Sequence, residues 1–379
     1  MRASIFLLLS GAFLLACSGD DTLAPGADGG DPDAASGGDT LANDASLKDT
    51  GPVLCGTKLC GTNETCLNGV SCACNAGFVP GASGCDMAAA GSPASHPQVD
   101  VCKKWKDGHV VTTPNAFTAG VAQCDLGTYA QGGITDTLLR INTFRWMEGL
   151  GDVIDDATKN AGDQACAVIQ AWNNPANLAN PHAPPASAVC YSATGATWSG
   201  QSNLAWGTSS PDAIDLYIED PGAGNAGSLG HRRWVLHPTL GKVGIGFVSG
   251  GNNGFGGRAQ CLGVFDTSGT GSKPAWYAWP PPGFVPVEVT PGVLNQGWAW
   301  SFHLKQGGVV GNAKITVQNL STAADAPVTV KTLGNGYGDD AISFYPNGWT
   351  PAAGEVYRVT ADVGVAGKFV YDVMPVSCK

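Results

Sequence analysis

The cysteines constrain the fold of this chain more than any other feature of its sequence. The 379 residues include 13 cysteines, and six of these lie between positions 55 and 85. A segment this short has hardly any apolar core, so disulfide bonds must hold it together. The spacing alone leaves the pairing of these six open. They are Cys55, Cys60, Cys66, Cys72, Cys74 and Cys85.

The N-terminal residues predict export. Arg2 precedes an apolar stretch at residues 4–15 that is too short to span a bilayer. The stretch leads into Leu-Leu-Ala-Cys, which ends at Cys17 and resembles a bacterial lipobox. This resemblance implies cleavage before Cys17 and lipidation there, and Ser18 after it resembles an outer-membrane address. Residues 1–17 are therefore predicted to be a lipoprotein signal peptide, with plain secretion as the alternative. The lipid is the only membrane attachment expected, and the remaining 12 cysteines are expected to pair.

The acidity of the chain is concentrated near its N-terminus. Residues 18–54 contain eight Asp and one Lys, which carry −7 of the formal net charge of −11. This segment has almost no large apolar side chains, so it is predicted to be a disordered acidic tether. The charge of the remaining residues says little about a ligand, and no basic stripe points to nucleic acid.

The cysteine-rich segment resembles an EGF-like module, predicted over residues 55–86. Cys72 and Cys74 precede an Asn-Ala-Gly-Phe sequence and then Cys85. The resemblance implies three disulfides and a role as a spacer or contact module. Residues 51–54 lack the acidic and amide side chains that precede the first cysteine in calcium-binding modules, so no calcium is expected. The implied pairs are Cys55–Cys66, Cys60–Cys72 and Cys74–Cys85.

Helical periodicity marks a central domain, predicted over residues 135–266, after a linker and lead-in at 87–134. Leu138, Ile141 and Arg145 recur at helical spacing. A glycine-rich loop and a short helical turn containing His231 precede a strand in which apolar residues alternate with glycine. The predicted elements are helices at about 135–149, 155–173 and 210–220, and strands at 243–247 and 260–265. Two disulfides are expected here, Cys102–Cys124 in the lead-in and Cys166–Cys190 between the second helix and the loop that follows it.

The C-terminal part, residues 267–379, reads as an antiparallel β-sandwich. Residues 276–282 are aromatic and proline-rich and are predicted to form a rigid connector. Stretches of period-two alternation follow, separated by turn residues. Cys261 and Cys378 are the last two cysteines and are expected to pair. The predicted strands lie at 298–304, 313–318, 328–331, 341–345, 356–361 and 369–374.

The central residues resemble the CAP superfamily, which comprises cysteine-rich secretory, antigen 5 and pathogenesis-related proteins and is also called SCP-like. Six short motifs occur in family order and cover about a third of the chain. The resemblance implies an α-β-α sandwich with a cleft. The whole chain is thus predicted to be α+β, with the CAP-like domain between an EGF-like module and a β-sandwich. The motifs are Asn142 with Arg145, His182, Ser202-Asn203-Leu204-Ala205, Glu219, Gly230-His231-Arg232 and Val243-Gly244-Ile245-Gly246.

The same resemblance implies a cleft lined by two histidines and two acidic residues. His182 and His231 match the histidines, and Glu219 matches the second acid, although Asp220 beside it would serve equally. Ser202 stands where the family has its first glutamate, so one carboxylate is missing. A divalent metal such as zinc between His182 and His231 is one possibility. The other is a cleft whose histidines only form hydrogen bonds.

These features favour a non-enzymatic, surface-anchored extracellular binding protein. Its expected partner is a sterol or fatty acid, a cell-wall glycan or a surface protein. A metal-dependent hydrolase at His182 and His231 is one alternative, and an adhesin or envelope spacer is another. A serine-hydrolase triad of Ser202, His182 and Glu219 is disfavoured because no G-x-S-x-G elbow surrounds the serine. Four tryptophans suit either sugar stacking or core packing: Trp276, Trp279, Trp298 and Trp300.

Overall fold

The computed structural model describes residues 53–67, 69, 71–75, 78–80, 84–87, 93–305 and 310–379. The predicted signal peptide with Cys17, and nearly all of the predicted tether, lie outside the described residues. No helix in these ranges is long and apolar enough to cross a membrane. Six disulfides join described cysteines and indicate an exported protein.

The N-terminal module consists of three short antiparallel hairpins held by disulfides. Its three disulfides are the pairs implied by the EGF resemblance, Cys55–Cys66, Cys60–Cys72 and Cys74–Cys85. Cys55, Cys60 and Cys72 are buried together and replace the missing apolar core. The strands are β1 (Leu54–Cys55), β2 (Lys58–Leu59), β3 (Glu64–Leu67), β4 (Ser71–Cys74), β5 (Phe78–Pro80) and β6 (Cys85–Met87).

The segment predicted to be a linker and lead-in contains regular structure. It holds helix α1 (Gln98–Gly108) and a small hairpin of β7 (Phe117–Thr118) and β8 (Thr128–Tyr129). Gly108 lets α1 approach the next helix closely, since a Cβ there would lie 2.0 Å from Thr143 Oγ1. The lead-in is therefore packed onto the central domain.

A four-stranded mixed sheet with helices on both faces forms the central domain. The helices are α2 (Gln131–Met147), α3 (Ala157–Trp172), α4 (Ala193–Ser199), α5 (Ser210–Glu219) and α6 (Gly230–Val235). The strands are β9 (Ile154–Asp155), β10 (Ser202–Trp206), β11 (Lys242–Val248) and β12 (Ala259–Gly263). Their order is β10, β12, β11, β9, antiparallel except for the β9–β11 pair.

The two faces of this sheet differ because side chains alternate along a strand. Val243, Ile245 and Leu262 enter the main core together with residues of α2 and α5. On the opposite face, Gly244 and Gly246 leave the backbone bare, so α3 lies directly on β11. The alternation of glycine with apolar residues therefore builds one packed face and one face for close helix contact.

Local sequence signals explain where the helices begin. Asp156 caps α3 by accepting hydrogen bonds from the next amides, and Ser192 caps α4 in the same way. Ser209 caps α5 by accepting a hydrogen bond from the Asp212 amide. The predicted helices correspond to α2, α3 and α5, whereas α4 was not predicted because its seven residues show no clear periodicity.

Two facing sheets form the C-terminal sandwich. One has the order β13, β15, β19, β18 and the other β14, β21, β20, β16, β17. Trp276 and Phe302 of the first sheet contact Phe369 of the second with ring centroids 5.6 and 5.1 Å apart. The strands are β13 (Trp276–Trp279), β14 (Gly283–Pro286), β15 (Trp300–Leu304), β16 (Lys314–Asn319), β17 (Ala324–Asp325), β18 (Val328–Thr332), β19 (Asp340–Pro346), β20 (Tyr357–Asp362) and β21 (Lys368–Val376).

The C-terminal sandwich differs from its prediction in two ways. The predicted aromatic–proline connector is instead strand β13, which pairs with β15 and buries all four of its residues. The sandwich is also not wholly antiparallel, because β14 runs parallel to β21. Trp276, Trp279 and Trp300 are buried in the core, so their role is packing rather than sugar stacking.

The three predicted disulfides outside the N-terminal module are wrong. Cys102–Cys124, Cys166–Cys190 and Cys261–Cys378 are replaced by other pairings of the same cysteines. Because α3 lies on the central sheet, Cys166 meets Cys261 of β12 with 6.1 Å between their Cα atoms. Because α1 packs against β14, which pairs with the C-terminal strand β21, Cys102 meets Cys378. The pairs in the structure are Cys102–Cys378, Cys124–Cys190 and Cys166–Cys261.

The central domain and the C-terminal sandwich share one hydrophobic core. Phe144 of α2 contacts Trp279 of β13, with ring centroids 5.6 Å apart, and both side chains are fully buried. The N-terminal module also packs on the sandwich, where Ala73 joins a small cluster with Val356 and Met374. The sandwich is therefore packed against the central domain through a common hydrophobic core.

Candidate functional site

His231 is held at the start of α6 by two neighbours. Its Nδ1 donates to Asp220 Oδ1 at 2.8 Å, and its ring stacks on Tyr217 with centroids 5.4 Å apart. The side chain of His231 remains 14% exposed, whereas that of Asp220 is fully buried. With the proton on Nδ1, the neutral imidazole has its lone pair on Nε2. The side chain is therefore fixed in orientation and still reaches solvent.

Asp220 provides this carboxylate because of where α5 ends. It follows the last helical residue in a left-handed conformation, with φ 54° and ψ 54°. That geometry turns its side chain toward α6, where it also accepts a hydrogen bond from the Arg232 amide at 3.3 Å. Of the two acids, Asp220 is therefore the one in contact with His231.

Glu219 lies half-buried beside this pair, against the C-terminal sandwich. A Cβ on Gly297 would lie 2.5 Å from Glu219 Cγ, and the Trp298 amide donates to the Glu219 carbonyl at 2.8 Å. Burial raises the pKa of Glu219 to about 6, and Arg232 opposes that rise. At pH 7 the side chain is mostly ionised and can accept hydrogen bonds.

Arg232 ties the end of α5 to the sandwich. Its Nε donates to the Ile218 carbonyl at 2.6 Å, and its Nη1 donates to Ser301 Oγ at 3.2 Å. The guanidinium also donates to the carbonyls of Ala299 and Glu219. Although burial lowers the pKa of Arg232 to about 10, the group stays charged at neutral pH. The site around His231 thus rests on a buried arginine side chain that donates hydrogen bonds to four acceptors.

His182 lies in the loop between α3 and α4. Its Nδ1 donates to the Ser199 carbonyl at 2.9 Å, and its own amide donates to Asn180 Oδ1 at 2.9 Å. Gln170 of α3 donates to the carbonyl of Pro181 at 2.9 Å and so anchors the loop. His182 is half-buried at the C-terminal end of α4.

Ser202 and His231 lie on opposite sides of β10. The Ser202 hydroxyl contacts Asp163 on α3, whereas the next residue, Asn203, donates from Nδ2 to the His231 carbonyl at 3.0 Å. Successive side chains of a strand point to opposite faces, so Ser202 points away from His231. Ser202 therefore does not stand in for the missing family glutamate, and it forms no triad with His182 and Glu219.

The contacts of Ser202 reveal a buried acid that the sequence did not single out. Its hydroxyl lies 2.5 Å from Asp163 Oδ1 and 2.6 Å from the Trp198 carbonyl. One hydroxyl proton cannot serve both oxygens, and a carbonyl can only accept. We therefore assign Ser202 as donor to Trp198 and the protonated Asp163 as donor to Ser202. Burial raises the pKa of Asp163 to about 8, which keeps this proton in place at neutral pH.

Replacing Asp163 by asparagine is expected to flatten the pH dependence of stability. The pKa of Asp163 is raised from 3.8 to about 8 by folding, so its stabilising effect is complete below pH 4 and is lost as the pH rises to 8. Between these two pH values, one such group lowers the free energy of unfolding by up to about 1.4 kcal/mol for each unit by which the pH rises. Urea denaturation of Asp163→Asn and the parent at pH 4 to 8 measures the difference.

The control for this experiment is Asp107→Asn, because Asp107 is exposed. It should leave the pH profile unchanged. An identical slope in Asp163→Asn and the parent would contradict the assignment. An asparagine amide can still donate to Ser202 and accept from the Gly263 amide, so the variant should be more stable than the parent at pH 7.

The described side chains offer a metal ion few ligands at this site. In the ranges that the structure covers, one group of three or more His, Cys, Asp or Glu has its ligand atoms within 4.8 Å of one another. That group is Cys55, Cys60 and Cys72, whose sulfurs are in disulfides. Among the described residues no such group includes His182 or His231, whereas catalytic zinc sites use about three protein ligands.

The sequence located His231 and an acid beside it but missed the residues that support them. Tyr217 is a residue of ordinary helix pattern whose spacing carried no signal, and Arg232 was part of a CAP motif, but its bonds to α5 and the sandwich could not be predicted. Asp163 had a signal in the sequence: it is an acidic residue on the face of α3 that carries small residues, and the glycines of β11 that face it were visible in the sequence. No protein-family model and no curated protein matches this chain.

Proposed function

We propose that this chain is an exported, surface-anchored binding protein whose central domain is of the CAP type. Its ligand is a lipid, a glycan or a surface protein, bound at the corner where α5 meets α6. The six disulfides support export. Helices on both faces of a central sheet, in the chain order expected for a CAP domain, support the domain assignment.

The Asn142 and Arg145 pair of the CAP resemblance has contacts that support this assignment. Asn142 exchanges two hydrogen bonds with the backbone of Val153, at 2.9 and 2.8 Å. Arg145 donates to the carbonyls of Val235 and His237, at 2.8 and 3.0 Å. Both carbonyls belong to the end of α6 and the turn after it. The pair therefore fixes the position of the short helix that carries His231.

The His231–Asp220 contact is the observation that carries the proposal. A buried carboxylate orients the imidazole, and the imidazole still reaches solvent. Ordered polar groups at a surface provide specificity for a ligand at little cost in side-chain entropy. Ser202 is turned to the other side of the sheet, so this serine does not serve His231 as a nucleophile. This arrangement favours binding over catalysis.

The proposal is tested by ligand binding to the full chain purified in detergent. Titration calorimetry with sterols, fatty acids and glycan oligomers should find a ligand in one class. His231→Ala is expected to weaken that binding by about tenfold or more, and Asp220→Asn by less, because the imidazole is kept but loses its orientation. His96→Ala is the matched control, since His96 stacks on Trp146 on another part of the surface. Equal affinity in His231→Ala and the parent would contradict the proposal and favour an adhesin or spacer.

A metal-dependent hydrolase at the same corner is the second candidate. The observation that favours it is the Nδ1–carboxylate contact of His231, which is typical of zinc-binding histidines. His231 would hold such an ion, with His182 as the second ligand that the CAP resemblance implies, and the ion would supply Lewis acidity. Elemental analysis of zinc-loaded protein against the double variant His182→Ala, His231→Ala tests it. A stoichiometric ion lost in the variant supports the idea, and an equal content in both removes it.

A further inference from the structure

Two loops of the C-terminal sandwich border the His231 corner. The first, residues 292–298, packs Gly297 onto Glu219. The second, residues 334–339, is fixed by hydrogen bonds from the Gly334 amide to the Gly227 carbonyl, at 2.8 Å, and from Arg233 to the Asp339 carbonyl, at 2.8 Å. Both loops therefore lie against the segment that leads into His231, and neither belongs to the part of the chain that resembles the CAP superfamily.

Tyr337 is the side chain of the second loop that packs on Gly230, the residue before His231. A Cβ on Gly230 would lie 2.7 Å from Tyr337 Cδ1, so glycine at this position lets the ring rest on the backbone just before His231. The guanidinium of Arg233 lies 5.6 Å from the ring centroid and holds it from one side. Tyr337 remains partly exposed, between glycines at 336 and 338 that both have positive φ.

The first loop adds apolar surface and a fixed amide. Val293 and Leu294 are 46% and 40% exposed at its tip. Val293 bridges to Gly297, the residue on Glu219, so this tip lies close to the acid. Asn295 accepts a hydrogen bond from Lys331 of β18, the strand that leads into the Tyr337 loop. The two loops are thus connected to each other as well as to the corner.

We propose that Tyr337 contacts the ligand directly, and that the ligand is an uncharged oligosaccharide of N-acetylated hexosamines. This inference rests on the binding function proposed above and names its ligand. The C–H face of a pyranose ring packs on the exposed face of an aromatic ring. The acetamido N–H of the sugar suits the Glu219 carboxylate as acceptor. Its methyl group suits the apolar tip of Val293 and Leu294.

The charges around the corner favour an uncharged ligand. Glu219 and Asp220 lie at the corner itself, and Asp339 and Asp340 follow the Tyr337 loop. Three cations lie nearby: Arg232 and Arg233 are buried and donate to backbone carbonyls, and Lys331 already donates to Asn295 and lies over the ring of Tyr345. An anionic fatty acid or phosphate would face these carboxylates without an available cation. A neutral sugar provides donors for them.

Calorimetry with the chitin tetrasaccharide and the full chain in detergent tests this assignment. Tyr337→Ala is expected to weaken binding by about tenfold, and Tyr337→Phe by no more than about twofold, because phenylalanine keeps the ring face. Tyr337→Phe also preserves the contacts with Gly230 and Arg233, so it separates a binding effect from a folding effect. Val365→Ala is the control: Val365 is fully exposed in the turn between β20 and β21 of the other sheet.

The outcomes separate this inference from the function on which it rests. Weaker saccharide binding in both Tyr337→Ala and His231→Ala supports both. Weaker binding in His231→Ala alone, with Tyr337→Ala unchanged, overturns the role of Tyr337. Binding of oleate or cholesterol-containing vesicles but not of the saccharide overturns the ligand class and leaves the binding function standing. Binding of no probe overturns the saccharide assignment and also the lipid and glycan forms of the binding function.

Discussion

Replacing Gly246 by alanine is expected to lower the free energy of unfolding by about 3 kcal/mol, the upper end of the usual cost of overpacking. The new Cβ would lie 2.1 Å from the carbonyl carbon and oxygen of Asp163 and 2.3 Å from the amide nitrogen of Gln164. These are backbone atoms of α3, which cannot rotate away as a side chain could. The helix would have to lift off β11, and that movement would also disturb the Cys166–Cys261 contact and the buried Asp163.

The matched control for this substitution is Gly227→Ala. A Cβ at Gly227 meets no atom within 4 Å, and its φ is not in the left-handed region, so its effect should stay within about 0.5 kcal/mol. Urea denaturation followed by tryptophan fluorescence gives both values, since several of the 11 tryptophans are buried. Equal midpoints for Gly246→Ala and Gly227→Ala would contradict direct packing of α3 on the sheet.

Periodicity in the sequence predicted the elements that build this packing. The alternation around Ile245 indicated a strand, and helical spacing earlier in the chain indicated α2 and α3. Periodicity could not show which layer each face would meet, because that depends on the whole fold. Residues 276–279 were wrongly predicted to be part of a connector, because aromatic residues beside prolines are compatible with a connector as well as with an edge strand.

The disulfides show the same limit of prediction from the sequence: local pairs were predicted and long-range pairs were not. In the N-terminal module, the paired cysteines lie 11 or 12 positions apart, and a known pattern of cysteines implied the pairs. Outside it, Cys102 and Cys378 are separated by 276 positions. Which cysteines meet then depends on how layers stack. Nearness along the chain gave the wrong partners for Cys102–Cys124 and Cys166–Cys190, and pairing the last two cysteines gave the wrong bond Cys261–Cys378.

The candidate site was predictable in part. His231 after a glycine-rich loop, with acids at the end of the preceding helix, led to the corner where α5 meets α6. The contact of Asp220 rather than Glu219 depends on the left-handed turn at Asp220, which the sequence does not specify. The contribution of the C-terminal sandwich was also invisible, because Gly297 and Tyr337 reach the corner only through tertiary packing.

Replacing Arg232 by methionine is expected to lower the free energy of unfolding by about 3–5 kcal/mol. The substitution leaves four acceptors without their hydrogen-bond donor: the carbonyls of Ile218, Ala299 and Glu219 and the hydroxyl of Ser301. Arg232 itself has no contact with solvent. It also removes the buried cation beside the buried carboxylate of Asp220. Each of these acceptors is then buried without a hydrogen-bond partner, and its desolvation destabilises the folded state. Urea denaturation at pH 7 measures the loss.

Arg258→Met is the control, since Arg258 is exposed and should change stability by no more than about 0.5 kcal/mol. A second comparison isolates the charge. If an uncompensated Asp220 causes part of the loss, adding Asp220→Asn to Arg232→Met should recover stability, whereas Asp220→Asn alone should reduce it. A double variant less stable than Arg232→Met would show that hydrogen bonding to the carbonyls, and not the charge of Asp220, requires the arginine. Equal stability of Arg232→Met and Arg258→Met would contradict the buried network on which the His231 corner is built.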